Sequence, residues 1–254
     1  MTRSLPEKYV RTLLWIFLFI CLTMNSESLQ AGPPFVTDDP EPVELHHWEV
    51  YLASLAVWDE TGTSGTLPHI EVNNGLVRNL QVHVILPLAF QHTPGMSAQY
   101  GLGDTEFGLK YRFIEETKDQ PMIGTFPQLE IPTGKASSGL GSGHLQIFIP
   151  VWLQKSWASW TSYGGGGFHT NPGQGNRNFW LFGWEIQKDL NSHLTLGGEL
   201  FYVTPQAIDT DEQLNFNLGG QYNFNPGNHL LFSAGKSLLG KIDWMYYLAY
   251  QWTF

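Results

Sequence analysis

The stretch WMYYLAYQWTF, residues 244–254, decides the fold. Its large apolar side chains fall on every second position, and they are Trp244, Tyr246, Leu248, Tyr250, Trp252 and Phe254. Strict alternation over this length indicates a β-strand whose two faces meet different surroundings. A soluble protein rarely leaves so large an aromatic face on a terminal strand, where fraying would expose it. A strand of about ten residues with one apolar face is typical of a transmembrane β-barrel.

The same period-two pattern recurs along the chain. In residues 104–113, for example, aromatic and aliphatic side chains alternate with polar and charged ones. An even number of strands is what a single-chain bacterial barrel requires. The sequence therefore predicts an all-β fold, an antiparallel up-and-down transmembrane β-barrel of about 12 strands. The predicted strands are residues 46–57, 67–72, 77–90, 104–113, 122–133, 144–154, 159–168, 179–187, 194–203, 213–224, 229–236 and 244–254.

Turn-forming residues indicate where these strands end. A polar segment, residues 59–66, predicts the first turn, and Asn73-Asn74-Gly75 predicts a hairpin because Asn and Gly tolerate positive φ. Residues 159–168 form a weaker strand because they include four glycines. A closed barrel has no edge on which a proline can sit, so a bulge or a strand end is expected at Pro87, Pro127, Pro132 and Pro150.

The connections alternate in length. If the first strand starts in the periplasm, the even-numbered connections are periplasmic and are mostly short, whereas the odd-numbered ones are longer and rich in Gly, Ser and Pro. Short periplasmic turns and long outer loops distinguish an outer-membrane barrel from a soluble β-sandwich. This phase also returns Phe254 to the periplasmic side. The predicted location is the bacterial outer membrane.

The composition agrees with this location. Charged residues make up 14% of the chain, against about a quarter in ordinary globular domains. The formal net charge of −10 argues against nucleic acid as a partner. The expected partners are outer-membrane lipid, a small-molecule solute and the barrel-assembly machinery. That machinery would recognise Trp252 and Phe254, because the last strand resembles the C-terminal signal of bacterial outer-membrane proteins.

The first residues predict a secretory signal peptide, residues 1–28. A short basic segment precedes a continuous apolar run, residues 13–22, which is too short to span a bilayer as a helix. Cleavage is expected after Ser28 or after Ala31, and an uncleaved N-terminal membrane anchor is the alternative. Cys21 is the only cysteine of the chain, so the mature protein would have neither disulfides nor cysteine metal sites.

A leader rich in proline and acidic residues, residues 29–45, precedes the predicted barrel, residues 46–254. Its prolines exclude a helix or a central strand. Two interpretations stay open. The leader is either a disordered periplasmic segment or an ordered segment packed at or inside the barrel mouth, with Phe35 and Val36 as its anchors.

The candidate functional residues are the polar side chains of the predicted strands. The sequence contains no catalytic or cofactor-binding motif of a soluble enzyme, and neither a cofactor nor a metal is expected. One interpretation is structural, because ion pairs and hydrogen bonds fill a narrow barrel. The other is that these side chains line a solute path and set its selectivity. The residues concerned are Glu106, Lys110, Arg112, Gln128, Glu130, Glu185, Glu199, Asn215, Asn217 and Gln221.

Four segments together resemble the "MetA-pathway of phenol degradation" family of outer-membrane proteins. They are GPPFVTDDPEPVELHHWEVYLAS (32–54), GLGDTEFGLKYRF (101–113), PTGK (132–135) and FNLGGQYNFNPGNHLLFSAGK (216–236). The resemblance implies a barrel similar to the FadL-like transporters, one that passes aromatic or other hydrophobic compounds. It brings no residue-level binding site with it.

Three functions follow from these observations as hypotheses. The first is an outer-membrane channel for small, aromatic or hydrophobic molecules, in which no residue is catalytic. The second is a sealed structural barrel or one whose outer loops bind a partner. The third is a lipid-modifying enzyme of the outer membrane that would use Ser142 and His144. Their spacing of about 7 Å along one strand argues against this third hypothesis.

Overall fold

Fourteen strand segments form one closed antiparallel sheet in the computed structural model, which describes residues 33–254. The predicted signal peptide lies outside the described residues. Pairing of β1 with β14 closes the sheet. The segments are β1 (Trp48–Asp59), β2 (Gly62–Val77), β3 (Leu80–His92), β4 (Gln99–Leu102), β5 (Thr105–Ile114), β6 (Met122–Thr125), β7 (Gln128–Ile131), β8 (Gln146–Trp157), β9 (Trp160–His169), β10 (Phe179–Asn191), β11 (Leu194–Val203), β12 (Gln213–Asn225), β13 (Asn228–Leu239) and β14 (Ile242–Thr253).

These fourteen segments make twelve barrel strands. Both β4 and β5 pair with β3, and both β6 and β7 lie between β5 and β8, so each pair is one interrupted strand. The predicted twelve-stranded up-and-down barrel is confirmed. One short 3₁₀ helix, Ala136–Ser138, lies in a connection. Among residues 33–254, no helix is long and apolar enough to cross a membrane.

The two ends of the barrel differ in their connections. One end, called here the turn end, carries the tight turns at residues 78–79, 158–159, 192–193 and 226–227, together with the longer connection 115–121. The opposite end, the loop end, carries residues 93–98, 132–145, 170–178 and 204–212. The predicted alternation of short and long connections is therefore present. The connections at 60–61 and 240–241 are exceptions, because they are short although they lie at the loop end.

The first predicted turn is present but shorter than predicted, and the second is wrong. The polar segment that follows Asp59 is strand from Gly62 onward, and Asn73 and Asn74 lie inside β2. The Asn73 amide donates a hydrogen bond to the Glu71 carboxylate over 2.8 Å, and the side chain is buried on the inner face of the barrel. In a barrel with a polar interior, polar residues inside a strand are no evidence for a turn.

The prolines mark one shared interruption. Pro127 lies between the end of β6 and the start of β7, and Pro132 follows the end of β7, as expected. Pro150 lies inside β8. The residues that precede it pair with β7, and those that follow it pair with β6. Pro150 therefore faces the gap at Pro127, where no ladder hydrogen bond is lost. Pro87 coincides with a register shift between β2 and β3.

The glycines of β9 support aromatic side chains on the outer face. A Cβ atom on Gly164 would lie 2.4 Å from the ring of Trp184, and one on Gly166 would lie 2.5 Å from the ring of Phe182. The indole N–H of Trp184 donates to the hydroxyl of Ser162 over 2.9 Å. These glycines let the rings of β10 lie flat on the neighbouring strand, a known way of stabilising a glycine-rich strand.

The outer face of the barrel is apolar. On β14, the side chains of Trp244, Leu248 and Trp252 are 60%, 46% and 38% exposed, whereas Met245 and Ala249 are buried toward the lumen. At the turn end, ring contacts link His193, Tyr222, Phe224, Tyr250 and Trp252 in series. Such an aromatic girdle is typical of a membrane–water interface. The alternation predicted for residues 244–254 is therefore present in the structure.

Candidate functional site: the lumen and its leader

The leader, residues 33–45 in the structure, lies inside the lumen. At the turn end, Leu45 forms a parallel bridge with Gly75. Near mid-height, the carbonyl of Pro34 accepts a hydrogen bond of 2.6 Å from the Ser233 hydroxyl. The side chains of Thr37 and Asp39 are completely buried. The segment therefore rises from the turn end to the middle of the barrel and fills that half of the lumen.

Ion pairs hold the acidic part of the leader against the barrel wall. The Lys110 ammonium lies 2.9 Å from Asp38 and 3.3 Å from Asp39. Glu41 lies 3.9 Å from Arg112 and accepts a hydrogen bond from the Gln154 amide over 3.2 Å. Burial raises the pKa of Glu41, and the Gln154 hydrogen bond and the Arg112 charge oppose that effect. The leader thus brings acids to the two basic side chains that the wall presents here.

Glu199 binds the main chain of the leader. Its carboxylate accepts hydrogen bonds from the amides of Val36 and Thr37 over 2.9 and 2.7 Å, and from the Asn217 amide over 2.6 Å. On the neighbouring strand, Gly183 also contacts the leader, because a Cβ atom there would lie 2.1 Å from the Thr37 hydroxyl. A glycine is needed at this position because the leader packs directly on the strand.

His83 lies in a carboxylate cluster on the lumen wall. Its ring nitrogens lie 2.6 Å from the side-chain oxygen of Asn73 and 3.0 Å from Glu106. The Asn73 amide nitrogen already donates to Glu71, so its oxygen faces the ring. Two acceptors around one imidazole are both satisfied when the ring is doubly protonated and positively charged. The cluster is an internally bonded polar network of the kind that orders a narrow lumen.

A cavity of about 230 Å³ remains between the leader and the wall. Carboxylates of both the leader and the strands line it, together with aromatic rings. In residues 33–254, no group of three or more His, Cys, Asp or Glu side chains is arranged to hold a metal ion. The lining includes Asp38, Glu49, Glu71, Glu106, Tyr51 and Phe126.

Apolar side chains gather on one side of the loop half of the lumen. Buried Phe179, Phe201, Val203 and Met245 form one cluster, to which partly buried Val57, Leu181 and Ile242 add. The cluster joins strands β10 and β11 to β14 and β1, which lie on the far side of β12 and β13. Nearby, the His169 ring stacks between Phe179 and Phe148 at centroid distances of 4.6 and 5.6 Å. The lumen therefore has a polar turn half and, on one side of its loop half, an apolar cluster.

The structure places the predicted lumen residues on the inner wall but does not bring them to one point. Glu106 contacts His83, Lys110 contacts the leader acids, and Arg112 donates to Asn79 over 2.7 Å. The remaining residues are spread over both sides of the lumen. Gln128 and Gln221 line the cavity, Glu130 pairs in register with Glu106, Glu185 and Glu199 are opposite each other, Asn215 accepts from Ser237, and Asn217 donates to Glu199.

Gln81 of β3 is a contact of the leader that was not among the predicted candidates, and the two predicted anchors of the leader behave differently. Phe35 is buried, but the side chain of Val36 is 41% exposed and only its main chain makes the contact with Glu199. The Val43 amide donates to the side chain of Gln81 over 2.9 Å. The sequence did contain a signal that the leader contacts the wall, because two adjacent acids in the leader need basic partners when they are buried.

Ser142 does not form a dyad with the ring of His144. Its hydroxyl donates hydrogen bonds to the Asp104 carboxylate over 2.9 Å and to the main-chain carbonyl of His144 over 2.8 Å. Asp104 also accepts from the amides of Gly134 and Ser142. These contacts pin the connection 132–145 to the interruption between β4 and β5, which is a structural role.

Comparison with known proteins supports this architecture. The family model for the MetA-pathway of phenol degradation matches residues 53–239. An outer membrane channel from Pseudomonas putida F1 is similar, with a TM-score of 0.70 and 16% identity over 85% of this chain and 98% of that one. The KdgM porin in complex with disordered oligogalacturonate gives a TM-score of 0.58 and 10% identity, covering 81% and 99% of the chains. No curated protein matches the chain.

The NanC porin is also similar, with a TM-score of 0.55 and 9% identity, over 81% of this chain and 98% of that one. At these identities the likeness concerns the fold. The similar structures are outer-membrane channels and porins, and the apolar outer face of this barrel carries an aromatic girdle. The protein is therefore a β-barrel of the bacterial outer membrane.

Proposed function

The chain belongs to the MetA-pathway of phenol degradation family, and on that premise we propose that it is an outer-membrane channel for small aromatic or hydrophobic molecules. The leader closes this channel at rest. The observation that carries the proposal is that a separate segment, rather than the side chains of the wall alone, fills the polar half of the lumen. Movement of that segment opens a path without unfolding any strand.

The apolar cluster in the loop half of the lumen supports the class of solute. Phe179, Phe201 and Met245 are buried on the inner wall, where a channel for hydrophilic molecules would present polar groups. Pockets for hydrophobic ligands are lined in this way, with few polar groups that orient the ligand. The stacked rings of Phe148, His169 and Phe179 add a flat surface on which a planar ring can lie.

The leader deletion tests the proposal. Removing residues 33–43 empties the polar half of the lumen, so the conductance of single barrels in planar bilayers should rise several-fold. Cells that carry the variant should also accumulate the hydrophobic dye N-phenyl-1-naphthylamine faster. The matched control is Lys241→Met, which removes a basic side chain from an exposed ion pair with Glu60 and should change neither measurement.

A sealed barrel is the competing function, because the leader blocks the polar half of the lumen in this structure. It predicts that the deletion variant conducts no better than the full-length protein and takes up no more dye. That result, obtained with a variant that still migrates as a folded barrel in unheated gels, would overturn the channel proposal. It would favour a structural role or binding by the outer loops.

Assembly of the barrel supplies a second proposal. The side chains of Trp252 and Phe254 face outward on the last strand and are 38% and 67% exposed, which leaves them free to contact the barrel-assembly machinery. Phe254→Ala should lower the yield of folded barrel in the outer membrane at least twofold, whereas Phe224→Ala, on the same girdle but inside the chain, should not. Equal yields for the two variants would argue against recognition through Phe254.

A further inference from the structure

Two carboxylates face each other at mid-height in the lumen. Glu185 of β10 and Glu199 of β11 are directly opposite in the register of the two strands. They are 0% and 3% exposed. Like charges in directly opposed positions destabilise a sheet, so this arrangement needs a compensating partner.

The two carboxylates differ in their partners. Glu199 accepts three hydrogen bonds, two of them from the leader amides of Val36 and Thr37. No hydrogen-bond donor among residues 33–254 reaches either oxygen of Glu185. The lumen bases Lys110 and Arg112 pair with leader acids instead. A buried carboxylate without a donor costs several kcal/mol unless it takes up a proton or binds a group that the protein itself does not supply.

An apolar surface adjoins the carboxylates on the same two strands. Toward the loop end, the inner face of β10 continues through Leu181 to Phe179, and that of β11 continues through Phe201 to Val203. A ligand that contacts both parts must have a positive head and an apolar body. The two leader amides on Glu199 show that N–H donors fit at the head position.

We propose that Glu185 and Glu199 bind the ammonium group of an amphiphilic amine, whose apolar tail lies on the Phe179, Phe201 and Met245 cluster. The ammonium group displaces the amides of Val36 and Thr37 from Glu199, so binding also releases the upper part of the leader. The inference rests on the proposed channel function, because the amine reaches this site through the lumen.

The chemistry favours an ammonium group over the alternatives. An ammonium has three donors and no acceptor, so it can serve both carboxylates at once. A carboxylate-bearing amphiphile would be repelled by both. A neutral alcohol offers one donor, and the described residues offer no third ligand that would make this pair a metal site.

Three probes with the same tail test the site in the full-length protein, purified in a nonionic detergent at pH 7. They are hexylammonium chloride, 1-hexanol and sodium hexanoate, each titrated by isothermal calorimetry. Hexylammonium should bind at least about tenfold more tightly than hexanol, as expected for a charge-assisted contact of about 1.4 kcal/mol or more. Hexanoate should bind more weakly than hexanol.

Variants locate the binding. Glu185→Gln and Glu199→Gln should each weaken hexylammonium binding at least about tenfold and should leave hexanol binding unchanged. Asp209→Asn makes the same chemical change in an exposed loop residue and should change nothing. If Glu199→Gln fails to fold because it loses its contacts with the leader, Glu185→Gln is the decisive variant, since the carboxylate of Glu185 makes no hydrogen bond with the wall.

The outcomes separate this site from the proposed function. Equal affinities for hexylammonium and hexanol, or full affinity in Glu185→Gln, would overturn the amine site and leave the channel intact. Glutamate-dependent binding of hexylammonium by a protein whose leader deletion does not conduct would support the site and overturn the channel.

Discussion

The two halves of the lumen are filled by different means. In the turn half, a separate segment is held by ion pairs and hydrogen bonds, with Lys110, Arg112 and Glu199 as its main partners on the wall. In the loop half, apolar side chains of the strands themselves, around Phe201 and Met245, pack on the inner wall. The leader can leave without any change in the wall, whereas the apolar cluster is part of the fold.

This difference has a thermodynamic consequence. Polar contacts of the leader exchange for contacts with water when the segment leaves, so their net free energy is small for each bond. Apolar side chains that leave a packed cluster lose their contacts outright. Substitutions in the turn half should therefore release the leader, and substitutions in the loop half should destabilise the barrel.

Lys110→Met should have the largest effect on the leader. The substitution leaves Asp38 and Asp39 buried without their shared cation, and removing one partner of a buried ion pair costs about 3–5 kcal/mol. Undocking the leader restores water to both carboxylates, so hydrogen exchange of the leader amides should accelerate by about a hundredfold or more. Mass spectrometry of peptides from residues 33–45 measures this rate.

The control for this variant lies at the loop end. Lys241→Met removes an ammonium group of the same size from an exposed pair with Glu60. Exposed ion pairs contribute little to stability, so leader exchange should match that of the unaltered protein. Equal acceleration in the two variants would show that loss of charge, rather than loss of the buried pair, releases the leader.

Phe201→Ala should have the opposite pattern. Removing a buried aromatic side chain from the apolar cluster leaves a cavity and costs about 3 kcal/mol of the free energy of unfolding. The unfolding midpoint in urea, followed by tryptophan fluorescence in lipid vesicles, should fall. Leader exchange below the midpoint should not change, because Phe201 packs within the apolar cluster toward the loop end, whereas the leader lies in the turn half.

Phe107→Ala is the matched change on the lipid face, where the side chain is 43% exposed. Lipid fills the space of the missing ring, so its midpoint should fall much less than that of Phe201→Ala. A fall of equal size in both variants would mean that the apolar cluster in the loop half of the lumen is not tightly packed.

The sequence is enough to predict the barrel because alternation is a local property. The two faces of each strand can be identified from its own residues, without reference to the neighbouring strands. In residues 244–254, the side chains predicted to face outward do so in the structure. The turn at Asn73 and Asn74 was predicted wrongly because local turn propensity cannot distinguish a solvent-exposed loop from a polar lumen. Register, which sets Pro127 opposite Pro150, depends on pairing between strands.

The contacts of the leader could not be predicted in this way. Val36 and Glu199 are separated by 163 positions, and Pro34 and Ser233 by 199. Alternation identifies Glu199 as a lumen residue but does not name its partner. The apolar cluster was missed for another reason, since Phe179 and Leu181 lie on the inner phase of β10, whereas the predicted candidates are polar side chains only.

Gly183→Ala should have the smallest effect and tests how closely the leader fits the wall. A Cβ atom at this position would lie 2.1 Å from the Thr37 hydroxyl, so the leader must shift away while the strand keeps its course. Overpacking of this kind costs about 1–3 kcal/mol, which should accelerate exchange of the leader amides by roughly five- to a hundredfold. The comparison variant is Gly198→Ala on the next strand, where the new atom would meet a movable methyl group of Leu218 at 2.9 Å and no part of the leader. If both alanine variants leave the leader amides equally protected, the leader is not closely packed against Gly183. Its ion pairs alone would then keep it in the turn half of the lumen.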